Sequence, residues 1–106
     1  MTTKTHGNNK IIYKFDVVPS DQQVIELYND ADLPRPTHDP QRIKAMVDNS
    51  DLIVTAWDEN ELVGVSRTIT DWVWCSYLGD LAVSPGYKRS GIGKKLINLT
   101  RERMGE

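Results

Sequence analysis

The chain has 106 residues, enough for one domain with a modest core, and its 39% hydrophobic and 26% charged residues are ordinary for a globular protein. Residues 84–106 carry six basic and two acidic side chains, whereas residues 1–83 carry seven basic and thirteen acidic ones, which argues against a nucleic-acid binder with a broad basic face. The single cysteine, Cys75, excludes an internal disulfide. Because the sequence has no signal peptide and no long apolar segment, we predict a cytoplasmic protein that binds neither nucleic acid nor membrane.

The predicted elements follow the order β-α-α-β-β-β-α. Ser20 and Gln23 form a capping box that opens the first helix, and Asp39 followed by Pro40 predicts the start of the second. Gly79 predicts either a bulge in the last strand or a close approach of another backbone. We expect a disordered tail over residues 1–10, a strand over 11–16, helices over 20–29 and 39–49, strands over 52–57, 62–69 and 72–83, and a helix over 92–104.

The turn between the last predicted strand and the last helix, residues 84–95, is the most informative part of the chain. The N-terminus of a helix carries unpaired N–H groups and a partial positive charge, so it attracts phosphate. Gly91 and Gly93 allow an anion to approach these N–H groups closely. Four basic side chains add full positive charge, namely Lys88, Arg89, Lys94 and Lys95. Together these residues predict a phosphate or pyrophosphate site.

Two common nucleotide-binding patterns do not fit this turn. A Walker A loop, G-x-x-x-x-G-K-[ST], fails because Ile92 follows Gly91 where lysine is required, and because Lys88 stands where the register ending at Gly93 needs its first glycine. The dinucleotide fingerprint G-x-G-x-x-G fails because Leu96 occupies the position of its third glycine.

The turn instead resembles the acetyl-CoA loop of the GNAT family of N-acetyltransferases, where a strand L-x-V and a short turn precede [QR]-x-x-G-x-[GA] at the start of a helix. Leu81 and Val83 match the strand, and residues 88–93 match the loop, with Lys88 where the family usually has Gln or Arg. The alternative is a glycine-rich turn with solvated lysines. The resemblance implies an α/β fold, an α+β mixed sheet of order β-α-α-β-β-β-α. It also implies that residues 11–106 are a single, apparently truncated domain, because the family usually continues with further strands and a helix.

The resemblance also indicates which residues bind acetyl-CoA. In the family, a bulged strand frees backbone groups for the pantetheine arm and the thioester carbonyl. Here those groups fall at Leu81, Ala82 and Val83. The pyrophosphate falls on the turn and the start of the helix, at Lys88, Arg89, Ser90, Gly91, Ile92, Gly93 and Lys94.

Catalysis and acceptor binding have their own candidates. Asp80 is the carboxylate nearest the transfer point and is the candidate base, the alternative being that it caps the bulge or pairs with a cation. Arg35, between two prolines, lies where the family often shapes its acceptor site, or is a surface arginine. Trp72 and Trp74 share one face of the predicted strand and are candidates for binding an ammonium group, with core packing as the alternative. Cys75 is expected to be buried and structural, and no metal ligands are predicted.

The sequence therefore favours an acetyl-CoA-dependent N-acetyltransferase that transfers acetyl directly to a small-molecule or peptide amine. The first alternative is a non-enzymatic CoA-binding or partner-completed module. We expect the fourth strand to have an exposed edge, which a second copy or another chain could cover. A second alternative is a nucleic-acid binder that uses the basic last helix.

Overall fold

The computed structural model describes residues 10–15 and 17–105, with the backbone alone for Lys88 and Arg89. Its elements are β1 (Ile11–Lys14), α1 (Asp21–Asp30), α2 (Pro40–Asp48), β2 (Leu52–Asp58), β3 (Glu61–Thr70), β4 (Ser76–Val83), a 3₁₀ segment (Pro85–Ser90) and α3 (Ile92–Arg103). The predicted order is confirmed, with the 3₁₀ segment inserted before the last helix. The predicted tail, apart from Lys10, and the predicted side-chain contributions of Lys88 and Arg89 lie outside the described residues.

The four strands form one sheet in the order β1-β2-β3-β4, and every neighbouring pair is antiparallel rather than mixed. Helices α1 and α2 cover one face, where Val24 and Ile43 are fully buried, and α3 covers the other, where Ile92 and Leu96 are fully buried. Each face of the sheet therefore has its own apolar core. In the described part of the chain, no helix has the length and hydropathy to cross a membrane.

Short-range hydrogen bonds fix where the first two helices begin. The Ser20 hydroxyl accepts from the Gln23 N–H at 3.1 Å, and the Gln23 side chain accepts from the Ser20 N–H at 3.0 Å. The Asp39 carboxylate accepts from the Arg42 N–H at 3.2 Å, and Pro40 is the first helical residue. Both predicted helix starts are confirmed, because a cap satisfies the orphan N–H groups locally.

Helix α3 lies close to the sheet at Gly64 of β3. A Cβ atom on this glycine would stand 3.0 Å from Cγ2 of Ile92 and 3.1 Å from Cδ1 of Leu96. These separations are shorter than ordinary van der Waals contacts, so a side chain at Gly64 would push the helix outward. The glycine thus sets the distance between α3 and the sheet.

Strand β4 is the edge of the described sheet and carries the predicted bulge. Arg67 pairs with Asp80 and Thr68 pairs with Leu78, which leaves Gly79 as the extra residue of β4. The bulge prediction is confirmed. Next to the bulge, the Asp80 side chain lies on the face covered by α1, where it accepts a hydrogen bond from Tyr28.

Residues 71–75 contradict the prediction that the fourth strand begins at Trp72. The Asp71 carboxylate accepts hydrogen bonds from three backbone N–H groups further along the turn, those of Val73 at 2.9 Å, Trp74 at 2.9 Å and Cys75 at 3.0 Å. These bonds close a tight turn and lower the pKa of Asp71. Trp72 has a φ of 65°, which a strand does not allow, so β4 begins only at Ser76.

The aromatic side chains of this turn are exposed, and the core-packing alternative for them is wrong. Trp72 is 51% exposed and Trp74 is 90% exposed. Cys75 is exposed as well, contrary to the expectation that it is buried. The exposed surface continues into the start of β4, where Tyr77 is 69% and Leu78 41% exposed, so the turn and the beginning of the strand both lie outside the two apolar cores.

Candidate functional site

The chain passes from β4 into α3 through the 3₁₀ segment and Gly91. Gly91 has a φ of 79° and is the N-cap of α3, with no side-chain hydrogen bond capping the helix. A Cβ atom there would meet nothing within 4 Å, so the left-handed backbone, and not a lack of space, requires glycine. Because the first N–H groups of a helix have no acceptor within it, this helix start is chemically suited to an anion.

Tyr87 attaches the 3₁₀ segment to the sheet. Its ring is buried, and its hydroxyl donates to the carboxylate of buried Asp58, at the end of β2, at 2.5 Å. Its N–H donates to the Ser84 carbonyl at 2.9 Å. The sequence analysis missed this anchor, for which the signal was a large aromatic residue inside an otherwise polar turn.

A groove of about 270 Å³ lies between the end of β4, the end of α1 and the start of α3. Its lining consists of Ala31, Leu33, Leu81, Ala82, Val83 and Gly93. Four of these are predicted acetyl-CoA residues, and the structure brings them together on one surface. The opposite wall, Ala31 and Leu33, was missed because it is distant in sequence and carries no motif.

Asp80 is buried beside the bulge and accepts hydrogen bonds from three side chains. The Tyr28 hydroxyl and the Arg67 Nε both donate to its Oδ2 at 2.7 Å, and the Arg35 Nε donates to its Oδ1 at 2.7 Å. Burial alone would raise the pKa of Asp80, but the hydrogen bonds from Arg67, Tyr28 and Arg35 outweigh it and hold the pKa below its ordinary value. Burial, together with the contact to Asp80, raises the pKa of the Tyr28 hydroxyl.

This geometry favours the ion-pairing alternative for Asp80. A general base works best with a pKa near the operating pH and within reach of the proton it removes, whereas this carboxylate is shared among three donors and has a lowered pKa. The role of Asp80 as the base stays a prediction. Arg35 also donates to the carbonyl oxygens of Pro34 at 2.7 Å and Gly79 at 3.1 Å, and its side chain is 29% exposed.

The two predicted acceptor tryptophans lie apart from this cluster. Trp72 and Trp74 line a small depression in the turn before β4, next to Met104 at the end of α3. Neither belongs to the lining of the groove. The structure therefore brings Arg35 to Asp80 but leaves the tryptophans on a separate exposed surface.

Comparison with known proteins identifies the family. A model of the Acetyltransferase (GNAT) family matches residues 21–106. Since this match spans most of the chain, the protein belongs to the GNAT family of acetyltransferases. A comparison with curated proteins found no match.

Solved structures share the fold at low sequence identity. A GNAT acetyltransferase from Streptococcus pneumoniae has a TM-score of 0.76 at 24% identity, covering 90% of this chain and 68% of its own. A probable acetyltransferase from Staphylococcus aureus has a TM-score of 0.81 at 19% identity, covering 90% and 69%. A GNAT acetyltransferase from Brucella melitensis, in complex with acetyl-CoA, has a TM-score of 0.69 at 14% identity, covering 92% and 70%.

Proposed function

We propose that this chain is an acetyl-CoA-dependent N-acetyltransferase that transfers the acetyl group directly from the thioester to an amine. The observation that carries the proposal is one continuous surface, on which the groove along Leu81–Val83 reaches Gly93 in the first turn of α3. An extended pantetheine arm fits beside a strand edge, and a pyrophosphate fits a helix start. The co-substrate is acetyl-CoA, which the Brucella melitensis neighbour binds.

The backbone supplies most of this site. The N–H groups of residues 89–94 bind the pyrophosphate, and the exposed Lys94 adds positive charge beside it. The side chains of Lys88 and Arg89 complete the charge of the turn. Backbone groups of Leu81–Val83 hold the pantetheine arm and polarise the thioester carbonyl, because β4 has no further strand partner among the described residues.

Acetyl transfer forms a C–N bond as the C–S bond breaks; the electron pair of the C–S bond leaves on the CoA thiolate, and the amine passes its proton through water to a base. Asp80, the carboxylate nearest the transfer point, is proposed to receive this proton only through a relaying water, because its two oxygens already accept from three side chains and its lowered pKa makes it a weak base. Arg35 is the proposed acceptor residue beside the transfer point; the expectation for Trp72 and Trp74 is not carried further, because they lie on a separate exposed surface outside the groove. The thirteen acidic side chains of residues 1–83 favour a cationic amine as acceptor.

The test compares two glycines with similar positive φ angles. Gly91 has a φ of 79° and Gly105 a φ of 83°, and a Cβ atom meets nothing within 4 Å at either. Gly91→Glu and Gly105→Glu therefore introduce similar strain and the same charge at opposite ends of α3. In calorimetric titrations with acetyl-CoA, we expect Gly91→Glu to weaken binding about 100-fold, because a carboxylate a few Å from phosphate repels it by a few kcal/mol. Gly105→Glu is expected to bind like the parent chain; equal affinities for both variants would contradict the site.

The second candidate function is a non-enzymatic module completed by a second copy or another chain. The observation that favours it is the position of β4 at the edge of the described sheet, next to an exposed aromatic turn. A colorimetric assay of thiol release from acetyl-CoA with a panel of primary amines separates the two functions. Turnover by the purified chain supports the transferase, whereas acetyl-CoA binding with no turnover, and a dimer in sedimentation velocity, supports the module.

A further inference from the structure

Four side chains from four parts of the chain meet at the bulge of β4. They are Tyr28 of α1, Arg35 of the α1–α2 loop, Arg67 of β3 and Asp80 of β4, and we call them the bulge clamp. Both guanidinium groups also flank the backbone of Gly79. Arg35 Nη2 donates to the Gly79 carbonyl at 3.1 Å, and a Cβ atom on Gly79 would stand 3.0 Å from Arg67 Nη2. The clamp therefore contacts the backbone of Gly79, the extra residue of the bulge.

The clamp also determines where one wall of the groove lies. Arg35 follows Ala31 and Leu33, which line the groove opposite β4. Its contacts to Asp80 and Gly79 tie this loop to the edge strand. A change in the Arg35 contacts would thus alter the groove width and the bulge together.

Stability alone does not explain why a buried charged cluster is present at the bulge. A buried ion pair costs desolvation that its attraction repays only with good geometry, and a well-packed apolar cluster of the same volume is often as stable. Here the charged groups fix a particular backbone shape, with both Asp80 oxygens and the Gly79 carbonyl occupied. Charged groups that specify one geometry are most useful where a reacting group has to be positioned.

We propose that the bulge clamp is a positioning device, in which Arg35 links the groove wall to the β4 bulge and so holds the acetyl-pantetheine arm at the transfer point. The inference rests on the proposed function, because it assigns the groove to that arm. It makes Arg35, Arg67 and Tyr28 positioning residues, which act through β4 and need not touch the acetyl group. The nucleotide part of acetyl-CoA, bound at the start of α3, does not depend on the clamp.

The test separates the two halves of the ligand. Calorimetric titrations use acetyl-CoA and adenosine 3′,5′-bisphosphate, which lacks the pantetheine arm, with Arg35→Ala, Arg35→Lys and the exposed-arginine control Arg42→Ala. We expect Arg35→Ala to weaken acetyl-CoA binding about tenfold, and the nucleotide about twofold at most, since a positioned arm gains affinity from preorganisation. Methylguanidinium is expected to restore acetyl-CoA binding to Arg35→Ala, while Arg35→Lys stays weak because an ammonium lacks the planar fork.

Tyr28→Phe provides a second variant that removes only the hydroxyl donor to Asp80 and keeps the ring in the core. A smaller loss of acetyl-CoA affinity, again without loss of nucleotide affinity, supports the clamp. Equal weakening of both ligands, no rescue by methylguanidinium, or acetyl-CoA affinity like that of Arg42→Ala overturns the inference while the proposed function stands. A folded parent chain that binds neither ligand overturns the proposed function, and the inference with it.

Discussion

At the residue scale, the pH dependence of folding follows from the donors around Asp80. An unfolded aspartate has a pKa of about 3.9, and the folded pKa lies below the ordinary value because Arg67, Tyr28 and Arg35 donate to the carboxylate despite its burial. Proton linkage gives the direction in which pH changes the stability of the fold. This group stabilises the fold fully at neutral pH, and its contribution is lost as the pH falls below about 4 towards the folded pKa.

Asp80→Asn is expected to lower the free energy of unfolding by about 3 kcal/mol at neutral pH, because it leaves two guanidinium groups without their shared carboxylate. The difference from the parent chain narrows below about pH 4, where Asp80 of the unfolded parent chain takes up a proton, and it is lost at the lower folded pKa, where the folded chain does so too. Urea titrations across this pH range measure the difference in free energy of unfolding between the variant and the parent chain. Asp39→Asn is the control, since asparagine caps a helix as well as aspartate. A constant difference at all pH values would contradict this account.

At the element scale, the position of α3 depends on its contact with β3. Gly64 allows Ile92 and Leu96 to approach the sheet, and Tyr87 attaches the preceding 3₁₀ segment to Asp58. Two glycines of this region differ in their surroundings. A Cβ atom on Gly64 meets three side-chain atoms at 3.0–3.3 Å, whereas a Cβ atom on Gly93 meets Val83 Cγ2 at 3.6 Å, an ordinary contact.

Gly64→Ala is therefore expected to lower the free energy of unfolding by about 2 kcal/mol through overpacking of Ile92 and Leu96. Gly93→Ala is expected to leave stability unchanged or raise it by up to about 1 kcal/mol, because alanine favours the helix. Thermal and urea unfolding of the two variants measure the difference. If Gly64→Ala were as stable as Gly93→Ala, the close approach of α3 would not be a constraint.

At the scale of the whole molecule, charge is segregated along the chain. Residues 84–106 hold six of the thirteen basic side chains and two of the fifteen acidic ones, and they include the turn before α3. An anionic ligand is thus attracted to the turn before α3, where the basic side chains are concentrated in the sequence. Lys94 is exposed in the first turn of α3, while Lys10 is exposed just before β1.

We expect acetyl-CoA binding to weaken about tenfold between about 0.05 M and about 0.5 M NaCl, because salt screens exposed charges. Lys94→Gln is expected to cost about threefold in affinity at low salt and less at high salt, since an exposed ion pair contributes up to about 1 kcal/mol. Lys10→Gln is the control, with no expected effect. Affinity that does not change with salt, or equal losses from both variants, would contradict the electrostatic account of the turn.

Much of the fold was predictable because its signals are short in sequence. Ser20 with Gln23 and Asp39 with Pro40 start helices through contacts three residues apart or fewer, and Gly79 marks the bulge within its own strand. The residues that line the turn before α3 form one motif, whose chemistry depends on a glycine with positive φ and a helix start. These features follow from local hydrogen bonding and backbone conformation, which the neighbouring residues largely control.

Other features were decided only by tertiary contacts. Trp72 and Trp74 alternate with other residues as a strand would, but the Asp71 side chain replaces the strand ladder with a turn and leaves them exposed. Tyr28 and Asp80 are 52 residues apart, and no local pattern signals that they meet. The groove wall and the donors around Asp80 depend on how α1 and its following loop pack against β4. Periodicity indicates which face of a helix or strand is buried, but the packing of distant elements determines which polar groups come together.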